Sequence, residues 1–178
     1  MKALRLTNTK VNITIRPWQL ADLDDIRVLA LKTWLITYGS FIRPENIIDY
    51  HDNHYSLSAL TKKYNQFSGL VGLLKEKLQA YSIADTCDRH RHYHIISLYV
   101  DPDQQGQGLG KALLKEHVSL AQKEGYEELW LGVMEKNTSA YEWYLREGFT
   151  FKATENFQVG SETVKLLVGS VSIRSGLN

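Results

Sequence analysis

The spacing of apolar residues divides the chain into short segments of two kinds. Apolar and polar residues alternate over residues 11–15, and this period of two predicts a strand that Pro17 closes. Apolar residues then recur every three or four positions from Leu23 to Leu35, which predicts a helix that Asp22 can cap. Further helical spacing is present over residues 44–50 and 57–64.

After these helices the period of two returns and most of the strands follow. The predicted strands cover residues 69–75, 78–84, 94–100, 128–134, 149–159 and 163–173. The first two are joined by a tight turn at Glu76-Lys77, and the last two by a turn at Gly160-Ser161. Helical spacing is interposed twice, from Leu109 to a stop at Gly125 and over residues 139–147. Since no repeat or flexible linker interrupts the pattern, we expect one α+β domain over residues 1–178.

A glycine-rich turn leads from the strand at residues 94–100 directly into a helix. Gly106, Gly108 and Gly110 fall in this turn. Their missing Cβ atoms let a ligand approach the backbone, and the first N–H groups of a helix lack partners within it. The turn therefore favours a diphosphate, with a flexible surface loop as the alternative. A Walker loop is excluded because Ala112 follows Lys111, and the preceding strands favour an antiparallel meander over a Rossmann unit.

Composition narrows the class of protein. The 178 residues are 43% hydrophobic and 23% charged, which is typical of a globular domain. With 21 Lys and Arg against 20 Asp and Glu, the net charge of +1 gives no bulk field for nucleic acid. No apolar run is long enough for a membrane helix, and residues 1–10 do not resemble a signal peptide. Cys87 is the only cysteine, so no intrachain disulfide is possible and we expect a cytoplasmic protein.

Three motifs in order carry a family resemblance. Gln105-x-x-Gly108-x-Gly110 resembles the pyrophosphate signature of the GNAT acetyltransferase superfamily, and residues 98–102 resemble the strand that pairs with pantetheine. Residues 129–137 resemble the superfamily's fifth strand, and Asn137-x-x-Ala140-x-x-x-Tyr144-x-x-x-Gly148-Phe149 resembles the helix after it. The resemblance is specific from residue 95 to 149, and it places the acetyl-coenzyme A core at about residues 94–150.

The resemblance implies a fold, a cosubstrate and a set of site residues. The GNAT fold is a mixed, strongly twisted sheet of about seven strands flanked by about four helices, with splayed fourth and fifth strands. A primary amine would attack acetyl-coenzyme A directly in a ternary complex and would be acetylated. No metal is expected, and a homodimer is one of the alternatives for the oligomeric state. The implied cofactor-binding residues are Leu98, Tyr99, Val100, Gln105, Gly106, Gln107, Gly108, Leu109, Gly110, Lys111, Asn137 and Tyr144.

The resemblance makes Tyr144 the candidate catalytic residue. In the family the tyrosine at this position faces the sulfur of the cofactor, where a phenol can hydrogen-bond the departing thiolate or protonate it. An isolated tyrosine at this helical spacing would more often be a core aromatic. Ser139 with Glu142 matches a capping box, so Glu142 is interpreted as structural.

The general base departs from the family pattern. Many members carry a glutamate on the fourth or fifth strand, and these positions correspond to Ile96 and Gly132. Neither residue can accept a proton. Glu135 and His94 are nearby candidates, and a water chain to bulk solvent is an equal alternative.

Several other patterns have alternative interpretations. His90, His92 and His94 could face one side of an extended segment and bind a metal, or form a polar hairpin end. The aromatic residues Trp34, Tyr38, Phe41 and Tyr50 could line an amine pocket or belong to the core. The acidic residues Asp22, Asp24 and Asp25 favour a helix start over a polyamine site.

The sequence leaves several alternatives for the identity of the acceptor amine. Residues 130–137 and 157–160 resemble bacterial polyamine acetyltransferases, which implies spermidine or spermine. Acetylation of a protein N-terminus or lysine is an alternative within the enzyme class. A non-catalytic sensor of acetyl-coenzyme A on the same fold is an alternative outside it, disfavoured by the presence of Asn137 and Tyr144.

Overall fold

A computed structural model of the chain describes residues 12–86 and 92–174. Its helices are α1 (Leu23–Tyr38), α2 (Pro44–His54), α3 (Leu57–Gln66), α4 (Leu109–Lys123) and α5 (Thr138–Arg146). Its strands are β1 (Ile13–Pro17), β2 (Ser68–Leu74), β3 (Lys77–Asp85), β4 (Tyr93–Val100), β5 (Glu128–Met134), β6 (Thr150–Val159) and β7 (Glu162–Ser172). Short 3-10 turns occupy Leu20–Asp22 and Pro102–Gln104.

The strands form one seven-stranded sheet in the order β1-β2-β3-β4-β5-β7-β6. Neighbouring strands pair antiparallel except β4 and β5, which are parallel. The connection between these two contains α4, as parallel strands require. The predicted α+β class, with a mixed sheet of about seven strands, is confirmed.

Helices cover both faces of the sheet because alternate side chains of the strands point to opposite faces. On one face, Leu109 and Leu113 of α4 pack with Leu70 and Leu74 of β2, and α5 packs beside them through a cluster that contains Tyr144. On the other face, α1, α2 and α3 cover the neighbouring strand residues, and their clusters contain Val71, Ile83 and Met134. A functional site between these two layers would need a gap between two strands of the sheet.

Local details correct three of the sequence predictions. The β2–β3 turn is formed by Lys75 and Glu76, both with positive φ, because Lys77 already pairs with Leu74 as the first residue of β3. Asp22 precedes α1 without a side-chain capping bond; its carboxylate binds the Arg16 guanidinium instead, with oxygen–nitrogen distances of 2.7 and 2.8 Å.

The third correction is at α5. Asn137, and not Ser139, is the N-cap, since its side-chain oxygen accepts the Ala140 N–H at 3.3 Å.

The predicted strand at residues 11–15 begins at Ile13, and Val11 lies outside the described residues. Within the described part of the chain, no helix is both long and apolar enough to cross a membrane.

Candidate active site

The central feature of the site is the opening between β4 and β5. The two strands pair only over Tyr93 to Ile95, against Leu129 to Leu131. β4 then continues to Val100 and β5 to Met134 without further pairing between them. In the β3–β4 register, Ala84 faces Ile95 and Ile83 faces Ser97, which leaves Ile96 as the extra residue of a β-bulge. A bulge bends the strand that carries it, so the bulge accompanies the splay at the point where it begins.

The glycine turn lies at the end of β4. Gly106 and Gly108 have φ values of +78° and +94°, a conformation that a side chain would strain. Gly108 is the N-cap of α4, and the first turn of that helix presents backbone N–H groups with no partners inside the helix. A Cβ at Gly106 would meet no described atom within 4 Å. The turn therefore has the open, donor-rich form that suits a diphosphate.

A cavity of about 570 Å³ extends from this turn through the opening between the strands. It brings together eleven of the predicted cofactor-binding residues: Leu98, Tyr99, Val100, Gln105, Gly106, Gly108, Leu109, Gly110, Lys111, Asn137 and Tyr144. The exception is Gln107, whose side chain donates to Gln104 Oε1 at 2.7 Å and does not line the cavity.

Other lining residues were not identified from the sequence. Thr33 and Thr37 come from α1, and Trp143 and Arg146 from α5. The threonines lie one helical turn apart on a helix that precedes the motif by more than sixty positions, and no local pattern connects the two. Trp143 and Arg146 could have been predicted from the sequence. Trp143 lies three positions after the motif residue Ala140, Arg146 lies three positions after Trp143, and residues with this spacing share a face of a helix.

Three tyrosines with raised phenol pKa values are among the residues that line the cavity. Tyr144 is 7% exposed; burial, and next the proximity of Tyr38, raise the pKa of its phenol above the ordinary value. Burial raises the pKa of Tyr38 to about 12, and its hydroxyl oxygen lies 3.4 Å from that of Tyr99. Burial likewise raises the pKa of Tyr99. All three phenols are protonated at neutral pH and can donate hydrogen bonds.

Neither of the usual glutamate positions carries a carboxylate, and the position of Gly132 also lacks space. Ile96 lies in the bulge and is 40% exposed. A Cβ at Gly132 would lie 2.6 Å from Cδ2 of Leu166, so a β7 side chain already fills that position. Neither Glu135 nor His94 lines the cavity.

The remaining sequence candidates lie away from the cavity, with one exception. Trp34 and Tyr38 are buried in a cluster against which Phe41 and Tyr50 pack, and only Tyr38 also lines the cavity. Asp24 and Asp25 are in the first turn of α1, as a helix start predicts.

The histidine segment gives no support for a metal among the residues that the structure describes. His92 stacks on Trp130, with ring centroids 4.5 Å apart, and no described group of three or more His, Cys, Asp or Glu could hold a metal ion. His90, Cys87 and Asp88 lie outside the described residues.

Comparison with known proteins adds independent findings. A spermidine N(1)-acetyltransferase of Thermoplasma acidophilum is 24% identical over 159 residues, which cover 82% of this chain and 92% of that protein. The PaiA N-acetyltransferase of the same organism, solved with coenzyme A, has a TM-score of 0.78 at 20% identity and covers 90% of this chain and 99% of its own. The Vibrio cholerae spermidine N-acetyltransferase, solved with coenzyme A and spermine, has a TM-score of 0.69 at 18% identity and covers 94% and 98%.

The family itself is given by a match to more than half of the sequence. The model of the acetyltransferase (GNAT) family matches residues 23–149, a range that contains the glycine turn, the splayed strands and Tyr144. The chain therefore belongs to the acetyltransferase (GNAT) family and is an acyltransferase.

Proposed function

We propose that this chain transfers the acetyl group of acetyl-coenzyme A to a primary amine in a ternary complex. The observation that carries the proposal is the continuous cavity that runs from the glycine turn to α1 between the splayed strands. Such a cavity admits the cofactor from one end and an acceptor from the other. In the reaction the amine nitrogen bonds to the acetyl carbon, the carbon–sulfur bond breaks, the nitrogen loses a proton and the thiol leaves with one.

The glycine turn and the cations beside it fit the cofactor. The backbone N–H groups at the start of α4 would hold the diphosphate, while Lys111 and Arg146 are the positively charged residues of the lining. The unpaired part of β4 offers main-chain groups to the pantetheine arm. Bound acetyl-coenzyme A would supply an acetyl thioester, an acyl donor that an uncharged amine can attack.

Tyr144 would stabilise the departing thiolate. Its buried phenol is a weak acid, so its contribution is hydrogen-bond donation more than complete proton transfer. Asn137 caps α5 and thereby positions the helix that carries Tyr144. Since no carboxylate occurs at Ile96 or Gly132, the acceptor amine would lose its proton to water in the open cavity or reach the site uncharged.

The experiment is an assay of free thiol release with acetyl-coenzyme A and a panel of primary amines. The proposal predicts release that depends on the amine, with the acetylated amine identified by mass spectrometry. Acetyl-coenzyme A binding without any amine-dependent release would support the sensor alternative instead. The names of the relatives make spermidine and spermine the first acceptors for the panel, followed by a peptide N-terminus and a peptide lysine.

A further inference from the structure

The lining of the cavity contains no carboxylate that could bind a polycation. Its ionic lining residues are Lys111 and Arg146, which are on the side assigned to the cofactor, and no Asp or Glu occurs among its described lining residues. Spermidine carries several ammonium groups at neutral pH. Each one that leaves water without a carboxylate partner loses hydration that the lining does not replace, which is unfavourable for binding.

Two carboxylates that are adjacent in sequence to lining residues are already paired with lysines. Asp101 follows Val100 of the lining, and its carboxylate binds Lys32 Nζ at 2.7 and 2.9 Å. Glu147 follows Arg146, and its Oε2 lies 3.4 Å from Lys111 Nζ. An ammonium that used either of these carboxylates would have to compete with the lysine that it already binds.

Aromatic rings form the wall at the α1 end instead. Tyr38 and Tyr99 line the cavity, and Trp34 packs behind them with ring centroids 5.0 Å from Tyr38 and 6.3 Å from Tyr99. Such a wall suits one cation through cation–π attraction and a flat apolar group through stacking. It cannot neutralise several charges.

One hydroxyl at the same end lacks a partner. Thr33 is 2% exposed and lines the cavity, yet its Oγ1 makes no hydrogen bond within the described residues. Because this oxygen is itself buried, it is not an accessible acceptor for an ammonium in the cavity.

We infer that the acceptor is an aromatic monoamine: one primary amine on an apolar, flat body, which Tyr38 and Tyr99 would contact through its ring. This inference rests on the proposed acetyltransferase function and names its acceptor class. It differs from the acceptor that the relatives' names suggest, because it follows from the cavity lining of this chain.

The first test compares kcat/KM for 2-phenylethylamine, pentylamine and spermidine at saturating acetyl-coenzyme A. The expected order is 2-phenylethylamine first and spermidine last, with at least about a tenfold difference between them. Calorimetric binding of the same amines to the protein with coenzyme A should follow the same order. Equal or better use of spermidine overturns the acceptor inference alone, whereas no turnover of any amine, despite acetyl-coenzyme A binding, overturns the proposed function.

A second test introduces the missing charge. Thr37 lines the cavity one turn after Thr33, so Thr37→Glu would place a carboxylate beside the acceptor. The ratio of kcat/KM for 1,5-diaminopentane to that for pentylamine should rise about 10-fold in Thr37→Glu. Thr37→Gln has the same length without the charge and should leave the ratio near that of the parent chain. An unchanged ratio in Thr37→Glu, or the same rise in Thr37→Gln, contradicts the inference.

Discussion

At the residue scale, Tyr144 is the side chain on which the proposed chemistry depends most. Tyr144→Phe keeps the ring that packs against Phe149 and removes the hydroxyl that would meet the leaving thiolate. We expect kcat to fall about 10- to 1000-fold with little change in acetyl-coenzyme A affinity. Steady-state kinetics and calorimetry on the same preparation measure both quantities.

The matched control for this substitution lies on the same helix. Tyr141 packs against Phe151 and does not line the cavity, so Tyr141→Phe should keep turnover near the parent value. Full turnover in Tyr144→Phe would assign Tyr144 a packing role and remove it from the chemistry.

A second residue-scale prediction concerns the buried imidazole of His117. Its Nε2 lies 2.7 Å from Ser82 Oγ and its Nδ1 lies 2.9 Å from Tyr93 OH. Burial lowers the pKa of His117 to about 3. Because the folded pKa is depressed, the folded state binds fewer protons than the unfolded state. The resulting stability is fully present above about pH 6.5 and is lost as the pH falls toward 3.

Urea unfolding near pH 7.5 and pH 5 measures this loss. At about 1.4 kcal/mol per pH unit, His117 should account for about 2 kcal/mol of the decrease by pH 5. In His117→Gln the amide can still bond a hydroxyl but does not titrate, so the decrease should be smaller by that amount. The same decrease in both proteins would show that His117 is not the titrating group.

Among the structural elements, the turn between β4 and α4 is the proposed binding site for the diphosphate. A Cβ at Gly110 would lie 3.4 Å or more from Trp143 and Val100, so a side chain fits without a backbone shift, unlike at Gly108 with its positive φ. Gly110→Glu should lower acetyl-coenzyme A affinity at least about 100-fold, because its carboxylate enters the site meant for a diphosphate.

Calorimetry tests this prediction, with thermal unfolding as the check on folding. Gly110→Ala separates the steric part of the effect from the charge and should bind more tightly than Gly110→Glu. Unchanged affinity in a folded Gly110→Glu variant would remove the diphosphate from this turn.

The individual elements differ in how well the sequence could predict them. The glycine turn and the Asn137-to-Tyr144 helix were found because their residues are adjacent in sequence and their chemistry is local. Thr33 and Thr37 were missed because α1 reaches the cavity only through tertiary packing. The Ser139 cap was wrong because Ser and Asn compete as N-caps with similar strength, and the sequence alone does not decide between them.

Long-range packing also explains what the sequence left unexplained at Gly132. The missing glutamate could be noted from the sequence, but the sequence does not show that Leu166, more than thirty positions later, occupies the space that a side chain at Gly132 would need. Similarly, the aromatic residues of α1 were interpreted as either core or pocket, and the structure gives Tyr38 both environments.

In the whole molecule, the two helical layers lie on opposite faces of the sheet. The cavity connects these two faces at the point where β4 and β5 separate. The glycine turn and α5 contribute from one face, and α1 contributes from the other. A cofactor bound on one face and an acceptor bound on the other could therefore meet in the gap between β4 and β5, and the strands need not rearrange.

The most direct test of this account follows a labelled acetyl group through a single turnover. Protein in excess over acetyl-coenzyme A with an isotopically labelled acetyl group is mixed with a primary amine, quenched and analysed by mass spectrometry. Direct transfer predicts that the label appears on the amine nitrogen, in an amount equal to the free thiol and without a labelled protein intermediate. Acetyl-coenzyme A that binds but stays intact, or label that leaves as acetate while the amine is unmodified, would contradict the account.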